Sequence, residues 1–333
     1  MARDVNEAFK IFMYNEVNLD NKVTQNAKAS RDNLLYNISE FDGAGDFFTL
    51  CSDFNIEFGS FARKTKCREL DDIDLMIGIS ACGATYNSDD SWNNVHITAS
   101  KTETLQMECT RSDGTLNSTM VSNRFKKKLE KGREYARSEV KRNGEAVVLN
   151  LISKDWSFDI VPCFHTVTES NGRAYYLIPN GTGNWKKTDP EADREQIKLV
   201  NSLRDNKLLD LVRICKKWNK TKNATTIPSY LLETIICNYA ESTDQLSEWI
   251  DRSFYHALEY LAQNISKPVY DMKNIQGDIN TLEPIERLVL HKKAMEDIGK
   301  VEEAIQYEND GNQNSAIRKW GEVFGKDFPK YTG

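Results

Sequence analysis

Residues 58–79 read FGSFARKTKCRELDDIDLMIGI, and three acids, Asp71, Asp72 and Asp74, fall within four positions at the mouth of an apolar run. Carboxylates this close repel one another unless a cation or hydrogen-bond donors offset the charge. Ile73, Leu75, Ile77 and Ile79 alternate, so they share one face of a strand. With that face in the core, Asp72 and Asp74 stand side by side on the other, while Asp71 has the opposite parity and lies outside the strand. Two carboxylates two residues apart on a strand suit a hard cation such as Mg²⁺. Upstream, Gly59-Ser60 fits a tight turn whose N–H groups and hydroxyl can approach a phosphate. Asp-Ile-Asp alone also fits an ordinary solvated strand start. The Gly-Ser pair before it and the apolar strand after it favour a site.

A further acid lies in WSFDIVPCF. Asp159 shares parity with Ser157 and Val161, opposite Trp156, Phe158 and Ile160. An acid in so apolar a strand is costly unless paired or metal-bound. Read alone, it is also a salt-bridged edge acid.

The stretch FGSFARKTKCRELDDIDLMI resembles the signature of the DNA polymerase β-like nucleotidyltransferase superfamily: an apolar residue, Gly-Ser, a spacer, then Asp-apolar-Asp on a strand. That resemblance implies a third carboxylate on a neighbouring strand, for which Asp159 is the candidate. It implies catalytic and metal-binding roles for Asp72, Asp74 and Asp159, with two Mg²⁺ ions, or Mn²⁺ in their place, about 3.5–4 Å apart. Asp72 and Asp74 would hold both ions. Asp159 would hold the one that activates the attacking hydroxyl, and would accept its proton. Gly59 and Ser60 would bind the triphosphate.

Further segments, in order along nearly the whole chain, resemble the CD-NTases, the cGAS/DncV-like enzymes of bacterial CBASS anti-phage defence. These are FDIVPCF, YYLIPNGTGNWKKTDP, LVRICKKWN, IPSYLLETII and AIRKWGEVFGKDFP. In KLLDLVRICKKW, Leu208, Leu211, Val212, Cys215 and Trp218 form an apolar helical stripe with Lys216 at its border. Helix periodicity alone allows a snorkelling surface lysine there; the resemblance implies a triphosphate contact. Ser229 and Tyr230 follow Pro228 at a helix start, where first-turn N–H groups favour an anion. The resemblance implies that Ser229 binds a phosphate and that Tyr230 stacks on a base; core packing is the other reading of Tyr230. The implied activity is condensation of NTPs (ATP, with GTP, UTP or CTP as further substrates) into a cyclic di- or trinucleotide second messenger that a separate effector protein reads. A linear oligonucleotide synthetase and a protein or tRNA nucleotidyltransferase use the same acids. A nucleotide-binding module without activity has no need to maintain their repulsion.

The elements that must position these residues follow from the pattern. Residues 4–41 look helical, 116–134 form a basic amphipathic helix, and Asn143-Gly144 marks a hairpin. GATYNSDDSWNN reads as a polar loop. From Asp189-Pro190, an N-cap followed by a first-position proline, the pattern is helical to the end. The fold class is therefore α+β. The resemblance sharpens it to a polymerase β-like palm, a mixed sheet with helices, plus a C-terminal helical bundle, in two lobes around an active-site cleft. The division is 1–188, a catalytic lobe with an N-terminal spine helix, and 189–333, a helical nucleotide-binding lobe.

Composition narrows the partners. Among 333 residues, 44 Lys and Arg against 50 Asp and Glu give a net charge of −6, unlike a basic nucleic-acid coat protein. The run RFKKK at 124–128 reads as a solvated face, and no nucleic-acid activator is indicated. A regulatory protein partner stays open. No run is apolar enough to span a bilayer and the N-terminus MARDVNEAFK lacks the hydrophobic stretch of a signal peptide, so a cytoplasmic protein without a membrane partner is expected. Seven scattered cysteines without a Cys-x-x-Cys argue against a disulfide framework or a zinc ribbon.

Overall fold

The computed structural model describes residues 1–41, 45–221 and 225–333. In chain order the helices are α1 (Val5–Phe12), α2 (Asn21–Ser39), α3 (Gly59–Ala62), α4 (Thr104–Met107), α5 (Ser118–Lys131), α6 (Pro190–Leu203), α7 (Leu208–Lys220), α8 (Ser229–Ser242), α9 (Ile250–Asn264), α10 (Pro284–Asn309) and α11 (Gln313–Phe324). The strands are β1 (Ile56–Phe58), β2 (Asp72–Gly78), β3 (Thr85–Tyr86), β4 (Ile97–Thr98), β5 (Glu139–Asn143), β6 (Ala146–Asn150), β7 (Ser157–His165), β8 (Tyr176–Pro179) and β9 (Trp185–Thr188). Residues 22–63 and 70–194 form one compact unit, and residues 1–21, 64–69 and 195–333 form another. A single cut at 188/189 would place residues 1–21 and 64–69 with the sheet; they fold with the helices.

The first unit is built on a mixed sheet in the order β1-β2-β7-β6-β5, with β8 pairing β7 and β9 pairing β8. β2 and β7 run parallel, and β1 and β6 flank them antiparallel. Ile73, Leu75, Ile77, Phe158 and Ile160, all on one parity, are fully buried, as alternation requires. α5 contributes Val121, Phe125 and Leu129 to the core and packs on β5, β6 and β7. Three of its four basic residues at 124–128 form ion pairs in the fold: Arg124 with Glu108, Lys126 with Glu130 at 3.2 Å, and Lys128 with Asp46. β5 and β6 close tightly, Asn143 opposite Ala146, with Gly144 at φ +55. The polar loop around residue 90 is not wholly irregular, because β3 pairs with β4 across it.

The second unit has its own core. Phe9 and Phe12 of α1 meet Trp320, Phe324 and Phe328 at ring separations of 4.7 to 5.9 Å. Leu211, Val212, Cys215 and Trp218 of α7 are buried, as the stripe predicts. Asp297 of α10 is fully buried and accepts from Trp218 Nε1 at 2.9 Å, from Lys293 at 2.6 Å and from Lys300 at 2.8 Å. The helical segment expected over 4–41 is interrupted. Residues Met13–Val17 widen into a π turn, and Asn18 is extended. Two arginines hold the break: Arg68 Nε donates to the Asn18 carbonyl at 3.1 Å, and Arg213 Nε to its side-chain oxygen at 2.7 Å. Both arginines are distant in sequence, so periodicity in the apolar residues does not register the break. Among the described residues, no helix is long and apolar enough to cross a membrane. All seven cysteines are free, five of them buried.

Candidate active site

The parallel pairing of β2 and β7 sets the acids. Asp74 lies directly across from Asp159, and Asp72 from Ser157. Neighbouring strands are about 4.8 Å apart, and residues in register on them present side chains to the same face. Asp72 is two residues from Asp74, so all three carboxylates belong to one face, and all three are half-buried. Farther along that face Ile56, Met76, Val161, Cys163, Tyr176 and Ile178 form a small apolar cluster. The acids thus sit where a buried face opens. Asp71 is exposed and its backbone carbonyl accepts from Ser157 N at 2.9 Å, starting the pairing from outside the strand.

Gly59 locks the second part of the arrangement. Phe58 is opposite Asp74 in the β1–β2 ladder. The next residue turns into α3 with φ +71. A Cβ there would sit 1.7 Å from Asp74 Oδ2 and 2.5 Å from Asp74 Cγ. Only glycine lets the turn and the carboxylate occupy this space. Ser60, half-buried, follows in the first turn of α3.

The donor set fits Mg²⁺ or Mn²⁺ by chemistry, since carboxylate oxygens on one face, beside a backbone turn, are hard ligands. Among the described residues, no three His, Cys, Asp or Glu side chains are already gathered as a metal-ligand set. The fit therefore rests on register and donor type.

The candidates of the helical unit are held differently. Lys216 is buried, 4% exposed, and its ammonium donates to Glu233 Oε1 at 2.5 Å inside the unit. That burial excludes a snorkelling surface lysine. Ser229 is exposed at the first position of α8. Tyr230 is half-buried; its hydroxyl donates to Asp271 Oδ1 at 2.6 Å and accepts from Lys273 Nζ at 2.8 Å. Burial alone would raise the Asp271 pKa, but the Tyr230 hydroxyl and the Lys273 ammonium outweigh it and hold the carboxyl below its ordinary value. Glu233, Asp271 and Lys273 were not legible as partners in the sequence. Glu233 sits within the helical pattern SYLLET, and only the fold brings α7 to it. Asp271 begins a loop that ends at Gly277, a readable turn signal, but nothing local points from it to Tyr230.

A mixed sheet with in-register acids on its central parallel pair, and helices C-terminal to it, is the polymerase β-like nucleotidyltransferase fold. The structure of Escherichia coli MS115-1 CdnC with ATP superposes with a TM-score of 0.71 at 16% identity, over 98% of this chain and 99% of that one. Vibrio cholerae DncV with the linear intermediate 5′ pppA(3′,5′)pG gives 0.59 at 12% identity, over 83% and 69%. No protein-family model matches the sequence. A curated Bacillus cereus (strain VD146) protein, "Probable cyclic nucleotide synthase", is 38% identical over 338 residues, 99% of both chains. The chain belongs to the CD-NTase family of nucleotidyltransferases.

Proposed function

We propose that this enzyme condenses ATP, alone or with GTP, UTP or CTP, into a cyclic di- or trinucleotide second messenger, releasing pyrophosphate, in anti-phage signalling of the CBASS type. The observation that carries the reading is the register of Asp74 against Asp159 with Gly59 closed onto the Asp74 carboxylate. Two Mg²⁺ ions, or Mn²⁺, held by Asp72, Asp74 and Asp159 would supply activation of the attacking hydroxyl and neutralise charge on the leaving pyrophosphate. The acceptor ribose oxygen forms a bond to the α-phosphorus, the bond from that phosphorus to pyrophosphate breaks, and Asp159 takes the hydroxyl proton. A second transfer of the same kind closes a dinucleotide ring, and a third closes a trinucleotide ring. Gly59 and Ser60 align the donor triphosphate by backbone N–H and hydroxyl, and alignment with electrostatic stabilisation carries most of the rate.

Ser229 is assigned a phosphate, its exposed place at the α8 N-terminus favouring an anion. Tyr230 is assigned the base, through its ring. Lys216 is assigned to the triphosphate, its charge balanced by Glu233 until nucleotide binds. The cytoplasm, where NTPs are abundant, is the proposed location, and a separate effector is proposed to read the product. The CdnC complex with HORMA-deltaN supports a regulatory protein partner for this chain as well.

The test is incubation of the purified protein with Mg²⁺ and the four NTPs, followed by phosphatase and mass spectrometry. A phosphatase-resistant cyclic oligonucleotide is expected. Only linear, phosphatase-sensitive oligonucleotides, or nucleotide attached to protein or tRNA, would overturn the reading in favour of the other transferases.

A further inference from the structure

The loop from residue 265 to 282, between α9 and α10, converges on one tyrosine. Asp271 has a side chain with no exposed surface. It accepts from the Tyr230 hydroxyl at 2.6 Å, from Lys273 Nζ at 2.9 Å, and from the backbone N–H groups of Lys273, Ile275 and Gln276 at 3.1–3.2 Å. The Asp271 N–H bonds to the Gly277 carbonyl at 2.9 Å, and Ile279 N to the Val269 carbonyl at 2.8 Å, so the loop is a closed, internally bonded unit. Lys273, also buried, places its ammonium 2.8 Å from the Tyr230 hydroxyl oxygen and 4.2 Å from the ring centroid.

A tyrosine that merely fills space needs none of this. A phenol hydroxyl can donate one hydrogen bond and accept another, and here charged groups fill both roles. Charge-assisted hydrogen bonds fix direction as well as contributing energy. The ammonium, beside the hydroxyl and 4.2 Å from the ring centroid, adds a second constraint through its attraction to the ring.

We propose that Asp271 and Lys273 are positioning residues that clamp the Tyr230 ring in the orientation in which it receives a nucleobase. This rests on the assignment of Tyr230 to the base. The clamp holds the ring plane before nucleotide arrives, so binding does not have to order it. Because the base is not the part of a nucleotide that reacts, its stacking is equal in ground and transition states, and loosening it raises KM with little change in kcat.

Steady-state kinetics with saturating Mg²⁺ test this in Tyr230→Phe, Lys273→Met, Lys273→Arg and Tyr230→Ala, with thermal melting alongside. Tyr230→Phe and Lys273→Met each raise KM for the NTPs about tenfold with kcat within about twofold. Lys273→Arg, which keeps the cation, recovers most of the affinity. Tyr230→Phe changes one buried hydroxyl and is the variant read first if Lys273→Met melts early. An unchanged KM in Tyr230→Phe and Lys273→Met, with a raised KM in Tyr230→Ala, overturns the clamp and leaves the stacking assignment intact. An unchanged KM in Tyr230→Ala overturns the stacking assignment itself.

Discussion

Gly59 and Asp74 show how far single residues determine this site. The carboxylate fills the space a side chain would need, at 1.7 Å from where its Cβ would lie, in a backbone conformation with φ +71 that L residues rarely adopt. Gly59→Ala must therefore push the carboxylate or the turn out of place. We expect an activity loss of about 10²-fold or more, from misplacement of the order of an ångström, against a stability cost of only about 1–3 kcal/mol. Turnover assays paired with urea unfolding check this; a variant with wild-type turnover would show that the contact does not matter. The need for glycine here was legible as a turn signal, and alternation alone sorted Asp72 and Asp74 from Asp71. Which carboxylate the glycine touches was not, because that contact depends on β1 folding back antiparallel on β2.

At the scale of elements, periodicity served well where one side of an element meets the core and poorly where polar groups meet each other. The β5–β6 hairpin, the Asp189-Pro190 start of α6, where Asp189 Oδ1 accepts from Ala192 N at 3.1 Å, and the buried stripe of α7 all follow from local pattern. The break after α1 does not, since two distant arginines stabilise it. Nor does the fate of Lys216. A stripe places it at a border, but only the packing of α8 beside α7 decides that Glu233 meets its ammonium in the interior. Breaking such a pair leaves a buried charge uncompensated, whereas removing both charges together costs far less. Glu233→Ala should lower unfolding free energy by about 3–5 kcal/mol, and the double change Lys216→Met with Glu233→Leu should recover much of it. Urea denaturation of the three proteins checks both statements. A single variant as stable as the wild type would mean that Lys216 relaxes to water at no cost, and that its burial does not depend on Glu233.

For the molecule as a whole, the sequence order of the elements and their spatial grouping diverge. Residues 1–21 and 64–69 join the C-terminal helices, and Ala2 N reaches the Lys330 carbonyl at 2.9 Å. Linear reading cannot recover such a grouping, because it depends on which apolar faces find each other over hundreds of residues; Phe9 against Trp320 is one case. The fold class was nonetheless legible, since an α+β half followed by a helical half survives this exchange of segments. The proposed chemistry rests on Asp72, Asp74 and Asp159 sharing one sheet face, and that is open to direct observation. Crystals grown with Mn²⁺ and a non-hydrolysable ATP analogue would show the ions by anomalous scattering. The account predicts manganese bound by Asp72 and Asp74, with Asp159 on one of the ions and the triphosphate along Gly59-Ser60. Manganese bound elsewhere, or Asp159 turned away from it, would contradict the account.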